Sequence, residues 1–446
     1  MPEDNGKTSS QFEGSVNLSP LETITAAGSE HTAAGYRGEK KVEKKKDYDY
    51  EILFLQTIGI LAVVNGHYKA VNATVNSFFP YYSWHMPFFI FLSGILFART
   101  YQNRTLIQYF LHKCKTLLIP ALFVNLCYGI IYYFLKRYHL VTYGSKISYK
   151  SFFVTPFTNN GQFGINISLW FILQLFIIEI LINVLYRIPR QTEKKFDGFL
   201  PLIFFAISVY SFYVAKYNRK MFGTYYLLFR TGYLTIFFIF GMIYEKYLRE
   251  KLINFDKPVL GCFLSITIQS LTLMIIDWPC TYNTRTMTIS ENMPLLFPYF
   301  TFLTAAVFLV CLARCLAPVI SNSGFLRFVG TNNRYIVYHH QFCGIMLGLF
   351  ALIPAAAGRS DLVPNFSFAD FRADKWYSFS IGANTNGLGK LPYLVIPLFV
   401  PVLIGTFINR CKNKMIRFLL WCGLLFLVLG FIILLGRGQQ EFIRLF

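Results

Sequence analysis

Two histidines flank one short stretch of this chain. In "ILAVVNGHYKAVNATVNSFFPYYSWHMPFFIFLSGILF", residues 60–97, His67 closes one apolar run and His85 opens the next. Imidazole titrates near neutrality, so two of them at one place suit proton transfer. Asn65 adds a donor and an acceptor beside His67. Gln56 stands eleven residues before His67. At about 100° per residue, the two fall within about 20° of one helical face and about 16 Å apart along it. The bland alternative is that these groups are hydrogen-bonded glue between helices.

Other polar residues interrupt apolar runs further along. Ser93 precedes Gly94 in the second run, either as a functional hydroxyl or as a close-packing notch, and Arg99 closes that run. Glu179 lies nine residues after Trp170, and an intramembrane carboxylate is a functional candidate by default. Arg230 is either its buried cation or a surface anchor, and Trp170 either a site residue or part of an interfacial belt. His339, His340 and Gln341 follow Tyr338. Adjacent imidazoles point in different directions, so at most one faces a cavity, and we take His339 with Gln341. A metal needs three or four convergent ligands. The trio His67, His85 and His339 is a weak set, and Cys311 and Cys315 lack a completing His or carboxylate, so no metal is expected.

The elements that must hold these residues are membrane helices. The 446 residues are 54% hydrophobic and only 14% charged, against about 25% charged in soluble domains. Mean hydropathy is positive, +0.44. Apolar blocks of about 20 residues recur, the length that crosses a hydrocarbon core. No short alternating strands of a barrel are visible. The expected class is all-α, a polytopic transmembrane helical bundle of ten or eleven spans. They read as 50–68, 80–99, 116–135, 166–187, 199–215, 227–246, 257–276, 295–316, 334–354, 392–410 and 417–436. The domain limits that follow are 50–436 for the membrane domain and 437–446 for a short tail.

Residues 1–49 carry almost no large aliphatics and read as a disordered hydrophilic tail, with no signal peptide. Its Lys-rich end, "EKKVEKKK", abuts the first span and favours an N-terminus on the cytoplasmic side. The net charge of +20 lies beside spans rather than in a basic domain, so a lipid bilayer and not nucleic acid is the expected partner. "ARTYQNRTLIQYFLHKCK" reads as a cytoplasmic loop. No GxxxxGK[ST] or GxGxxG occurs, and no internal repeat of the transporter kind is evident. The nine Cys show no disulfide framework. Asn72 and Asn365 head sequons. The long loop 355–391 has the mixture of a lid over a polar substrate or of a plain surface loop.

"GILAVVNGHY" followed by "HMPFFIFLSGILF" resembles the opening of the membrane-bound acyltransferase 3 family, which includes bacterial polysaccharide O-acetyltransferases. "KCKTLLIPAL", "ISLWFILQLFIIEIL", "FFIFGMIYEKYL" and "VGTNNRYIVYHHQF" resemble its later pieces, in order, from about residue 50 to 410. The family's hallmark is a basic residue, often Arg, eleven positions before a His of the first span. Here the His is His67, but the matching position is Gln56, a departure that puts activity in question. A basic side chain from another span at the level of Gln56, near the His67 stripe, would weaken the reading of the chain as an inactive relative.

The resemblance implies transfer of an acyl group, most simply acetyl, from acyl-CoA to a hydroxyl of a cell-surface, exported or lipid-linked glycan, in a bacterial plasma membrane. His67 would be the general base. Asn65, His85 or a Tyr hydroxyl would supply oxyanion donors. No permanently bound cofactor is expected. Acetyl-CoA is polyanionic and would sit on Arg99, Arg104, Lys113 and Lys115, whose other reading is plain positive-inside anchoring. Gln56, Ser93, Trp170, Glu179, Arg230, His339 and Gln341 are the substrate-binding candidates. The rivals are a transporter or flippase using the same polar residues, and a catalytically inactive relative.

Overall fold

The computed structural model describes residues 49–68, 79, 81–142, 146–158, 163–187, 193–218, 223–253, 257–276, 282–373, 375–380, 382 and 387–445. The tail over 1–48 and Asn72 lie outside the described residues. The long helices are α1 Tyr50–Tyr68, α2 Tyr81–Thr100, α3 Leu106–Arg137, α4 Leu169–Arg187, α5 Glu193–Tyr217 and α6 Thr224–Leu252. They continue as α7 Pro258–Ile275, α8 Phe297–Cys315, α9 Asn333–Ala356, α10 Pro392–Arg410 and α11 Lys414–Leu445. A two-stranded antiparallel hairpin, β1 Tyr282–Asn283 and β2 Thr288–Ile289, lies between α7 and α8.

Among the described residues, nine helices, α3 to α11, are long and apolar enough to cross a membrane. The chain is an all-α polytopic membrane protein. α1 and α2 have the length, 19 and 20 residues, but their polar residues dilute their apolarity. Burial accommodates them. α2 meets α6 backbone to backbone: a Cβ on Gly94 would fall 2.0 Å from the Phe238 carbonyl oxygen, and one on Gly241 2.0 Å from that of Phe91. Gly94 is therefore a packing notch of the small-residue kind. The main core gathers α1, α2, α4, α6 and α8, with Leu55, Phe88, Ile95, Ile178, Phe237 and Phe302 fully buried.

α3 corrects one expectation. The stretch read as a loop is helical from Leu106 onward. The Thr105 hydroxyl accepts from Gln108 N at 3.3 Å and the Gln108 side chain accepts from Thr105 N at 3.0 Å, a capping box. The 32 residues of α3 span about 48 Å, more than the hydrocarbon core, so one end lies outside it. A π-helical stretch, Cys114–Leu118, interrupts α3. The long loop 355–391 is packed rather than loose where described. Phe371, Trp376 and Phe379 are buried, and Tyr393 Oη donates to the Trp376 carbonyl at 2.7 Å. α11 is helical through Leu445, beyond the end of the expected final span.

Candidate active site

The last turn of α1 carries Asn65, Gly66, His67 and Tyr68. Tyr68 Oη donates to the His340 carbonyl at 2.7 Å and fixes this end of α1 against α9. Gly344 makes the approach possible, since a Cβ there would fall 2.3 Å from Tyr68 Oη. The His67 and His340 rings are consequently 5.1 Å apart between centroids, tilted by 44°. His67 keeps accessible surface, although His340, His85 and Arg285 surround it closely enough to act on it electrostatically. His340 is 0% exposed. Its Nδ1 lies 2.7 Å from the Ile336 carbonyl. A carbonyl only accepts, so Nδ1 carries the proton and Nε2 a lone pair. That Nε2 has no hydrogen-bond partner among the described residues.

The hairpin closes over this end. Tyr282 Oη donates to the carbonyl of Ser83, two residues before His85, at 2.6 Å, and Tyr233 Oη donates to Tyr282 Oη at 2.9 Å. Asn283 Oδ1 accepts from the backbone N–H groups of Arg285 and Thr286, shaping the turn. Arg230 then reaches the Arg285 carbonyl with Nη1 at 3.1 Å and Gln174 Oε1 with Nε at 2.8 Å. Its guanidinium lies 4.7 Å over the Trp170 ring. Arg230 is 1% exposed and has no carboxylate among its described partners. It is thus neither the partner of Glu179 nor a surface anchor, and Trp170 is buried beneath it rather than in an interfacial belt.

Towards the other end, a cavity of about 140 Å³ opens between α1, α2, α3, α4 and α9. Its polar wall holds Gln56, Ser93, Arg104, His112, Lys113, Glu179 and Arg334, and its apolar wall includes Phe89, Phe171, Val337 and Tyr338. Lys113 Nζ pairs with Glu179 at 2.7 Å, and Tyr109 Oη donates to the same carboxylate at 3.3 Å. The wall carries three fixed cations against one carboxylate. Ser93 Oγ donates to the Phe89 carbonyl. A larger groove between α10 and α11 has an apolar lining without a titratable side chain, which suits lipid chains.

The structure therefore brings some expected residues together and separates others. His67 and His85 share the hairpin end, with Asn65 on the same turn of α1. Gln56, Ser93, Glu179, Arg104 and Lys113 share the cavity. Arg99 is held by Asp49 at 3.0 Å and Glu245 at 2.7 Å, and Lys115 is exposed; neither lines the cavity. His339 turns away from His67, bonding Tyr128 Oη at 2.7 Å and stacking on Trp421. Gln341 Oε1 accepts from Ser168 N at 3.1 Å, just before α4 starts. Asn365 bonds Ser380 within the long loop. Sequence reasoning named His340 but chose His339 in its place, and it missed Arg334 and His112. The signal for Arg334 was its place in the first turn of α9, one turn from residues of the apolar wall.

Residues 49–347 match the sequence model of the acyltransferase 3 family, described as an acyltransferase domain. The chain belongs to the acyltransferase 3 family. The matched part of this family member runs from the start of α1 into α9 and so contains every site residue named above; α10 and α11 lie outside it. Neither a curated protein nor a solved structure matches the chain. It is a membrane acyltransferase.

Proposed function

We propose that this acyltransferase moves an acyl group, most simply acetyl, from acyl-CoA to a glycan hydroxyl, with His67 as general base. The observation that carries the reading is the spacing of two unlike places on one frame. The basic cavity at Gln56 and the imidazole at His67 lie about 16 Å apart along α1. The same side of α9 connects them, because Val337 and Tyr338 line the cavity and His340 meets His67 within a turn. The phosphates of the donor suit Arg104, Arg334 and Lys113, whose charge exceeds that of Glu179. The thioester arm then extends past Phe89 and Phe171, and the acceptor enters from the hairpin side. By this reading the Asp49 end faces the cytoplasm.

The bond changes are simple. His67 takes the proton of the acceptor hydroxyl as its oxygen bonds to the thioester carbonyl carbon. The carbon–sulfur bond breaks and the proton passes to the departing thiolate. Charge that develops on the carbonyl oxygen needs donors close by. Asn65, His85 and the Arg285 guanidinium stand around His67 for this. Arg334 of α9 lines the same cavity as Gln56 and offers a cation there, which supports an active enzyme over an inactive relative.

The test is acetyl-CoA turnover by the purified full chain in detergent, offered a mixed glycan pool, wild type beside His67→Ala. We expect CoA release by the wild type and a loss of about 10²–10⁴-fold in the variant. Turnover untouched by the substitution would move the chemistry away from His67. Absence of both turnover and acetyl-CoA binding would favour a transporter.

A further inference from the structure

His340 is a buried imidazole with only half of its hydrogen bonding accounted for. Nδ1–H is taken by the Ile336 carbonyl at 2.7 Å, so the ring is locked in one tautomer. The Nε2 lone pair is left unpaired at 0% exposure, in a chain where polar groups inside a membrane are otherwise expensive. A buried acceptor without a partner calls for an explanation. Because Nδ1 is turned towards its own helix, Nε2 points away from α9. The His67 ring on α1 packs against this imidazole, 5.1 Å away between centroids.

We infer that His340 is a positioning residue for His67: its Nε2 accepts the second ring N–H of His67 and holds the base in the tautomer whose other nitrogen faces the acceptor. The inference rests on the acyl-transfer reading and assigns it a second residue. The two rings are packed but not hydrogen-bonded in this structure. A centroid separation of 5.1 Å leaves room for a nitrogen–nitrogen hydrogen bond of about 2.9 Å after a small rotation of His67. Tightening of this kind on substrate binding is normal for catalytic hydrogen bonds.

The geometry also divides the roles. His340 is fully buried and cannot reach an acceptor, whereas His67 is accessible. During transfer the acceptor proton goes to the free nitrogen of His67. The imidazolium so formed keeps its other N–H on His340 Nε2 and then returns one proton to the thiolate. No proton passes to His340, whose Nδ1–H stays on Ile336. His85 and Arg285, the other groups that act on His67, cannot substitute for this acceptor without moving a cation or a second imidazole into place. Tyr68 and Gly344 set the spacing, because they fix the His340 backbone against α1.

The experiment compares His340→Gln, which keeps a side-chain acceptor, with His340→Phe, which fills the space without one. Turnover of acetyl-CoA is read as kcat and KM, and histidine-selective ¹⁵N NMR of the purified full chain assigns the His67 tautomer by difference from His67→Gln. With acetyl-CoA bound, we expect one His67 tautomer in the wild type and a mixture in His340→Phe. We expect kcat to fall about 10²-fold in His340→Phe with KM for acetyl-CoA within about twofold, and His340→Gln to recover at least about tenfold of that loss. A mixed tautomer already in the wild type with acetyl-CoA bound, or a His340→Phe protein with wild-type kcat, overturns the inference. So do equal losses in both variants. If His67→Ala itself leaves turnover unchanged, the acyl-transfer reading of His67 falls, and the tautomer measurement still decides whether His340 orders His67.

Discussion

The two ends of α1 carry similar numbers of polar groups and treat them in opposite ways. At the Asp49 end, three carboxylates meet three guanidiniums. Arg99 bridges Asp49 and Glu245, Arg249 pairs with Asp49 at 2.6 Å and lies 3.6 Å from Glu51, and Arg314 lies 3.7 Å from Glu51. Tyr244 Oη donates to Glu51 at 2.8 Å. Charge is balanced there, and the network ties the ends of α1, α2, α6 and α8. At the His67 end, three imidazoles and two guanidiniums gather, and Arg230 is stabilised by a ring face and neutral oxygens instead of an acid. Paired charge fixes helices to one another. A buried guanidinium held by neutral partners, as Arg230 is, carries a desolvation cost that a functional role would explain.

Exchanging the damage between the ends is the strongest way to break this contrast. His67→Ala should remove about 10²–10⁴ of turnover while leaving the thermal midpoint in detergent within a degree or two. Arg249→Ala should do the reverse. It leaves Asp49 and Glu51 under-compensated in a mostly buried network, which costs about 1–3 kcal/mol, between the surface and the fully buried cases. Turnover per folded molecule should stay within about twofold. Loss of turnover in Arg249→Ala at full folding would show that the two ends are coupled rather than separate.

A smaller effect sharpens the comparison at the His67 end alone. Trp170→Leu stays apolar but removes the ring under Arg230 and part of the buried volume, and should cost about 2–3 kcal/mol of stability through the lost cation–π contact and the cavity left behind. Since Arg230 also holds the Arg285 carbonyl, turnover should drop with it by about tenfold. A Trp170→Leu protein with unchanged melting and unchanged turnover would make the buried guanidinium incidental.

The helices behind this contrast were legible in the chain, whereas the ion network at the Asp49 end was not, because it joins residues distant in sequence. Apolar runs gave the helices, and the His67 and His85 spacing gave one end of the site. α1 and α2 were recognised as spans by length, though their polar residues keep them below the apolarity of the other nine. Helical periodicity gives the angle between His339 and His340 but not the rotation of α9, so the choice fell on the residue that stacks on Trp421. The pairing of Lys113 with Glu179, rather than Arg230 with Glu179, joins residues distant in sequence and needs the packed bundle. The start of α3 was different: Thr105 and Gln108 have capping-box spacing, and that signal was hidden by reading every basic stretch as a loop. The hairpin strands have two residues each, too few for an alternation to be seen.

The smallest expected effect separates the ends by pH. Burial alone would raise the Asp49 carboxyl, but Arg249 and Arg99 outweigh it and hold its pKa below the ordinary carboxylate value. A group lowered on folding stabilises the protein above its unfolded pKa, and the contribution disappears as pH falls through the folded value. The Asp49 network should therefore add a constant amount above about pH 4 and lose it progressively below. Asp49→Asn removes the titrating group and should lower stability by about 1 kcal/mol at neutral pH, an amount typical of a partly exposed pair. Thermal midpoints of the two proteins between pH 2.5 and 7 should then converge at the acid end. Parallel curves would mean that Asp49 holds no more charge-dependent stability folded than unfolded, and that the order at this end comes from Glu51 and Glu245 instead. Turnover should separate from stability across the same range, because nothing in the Asp49 network touches His67.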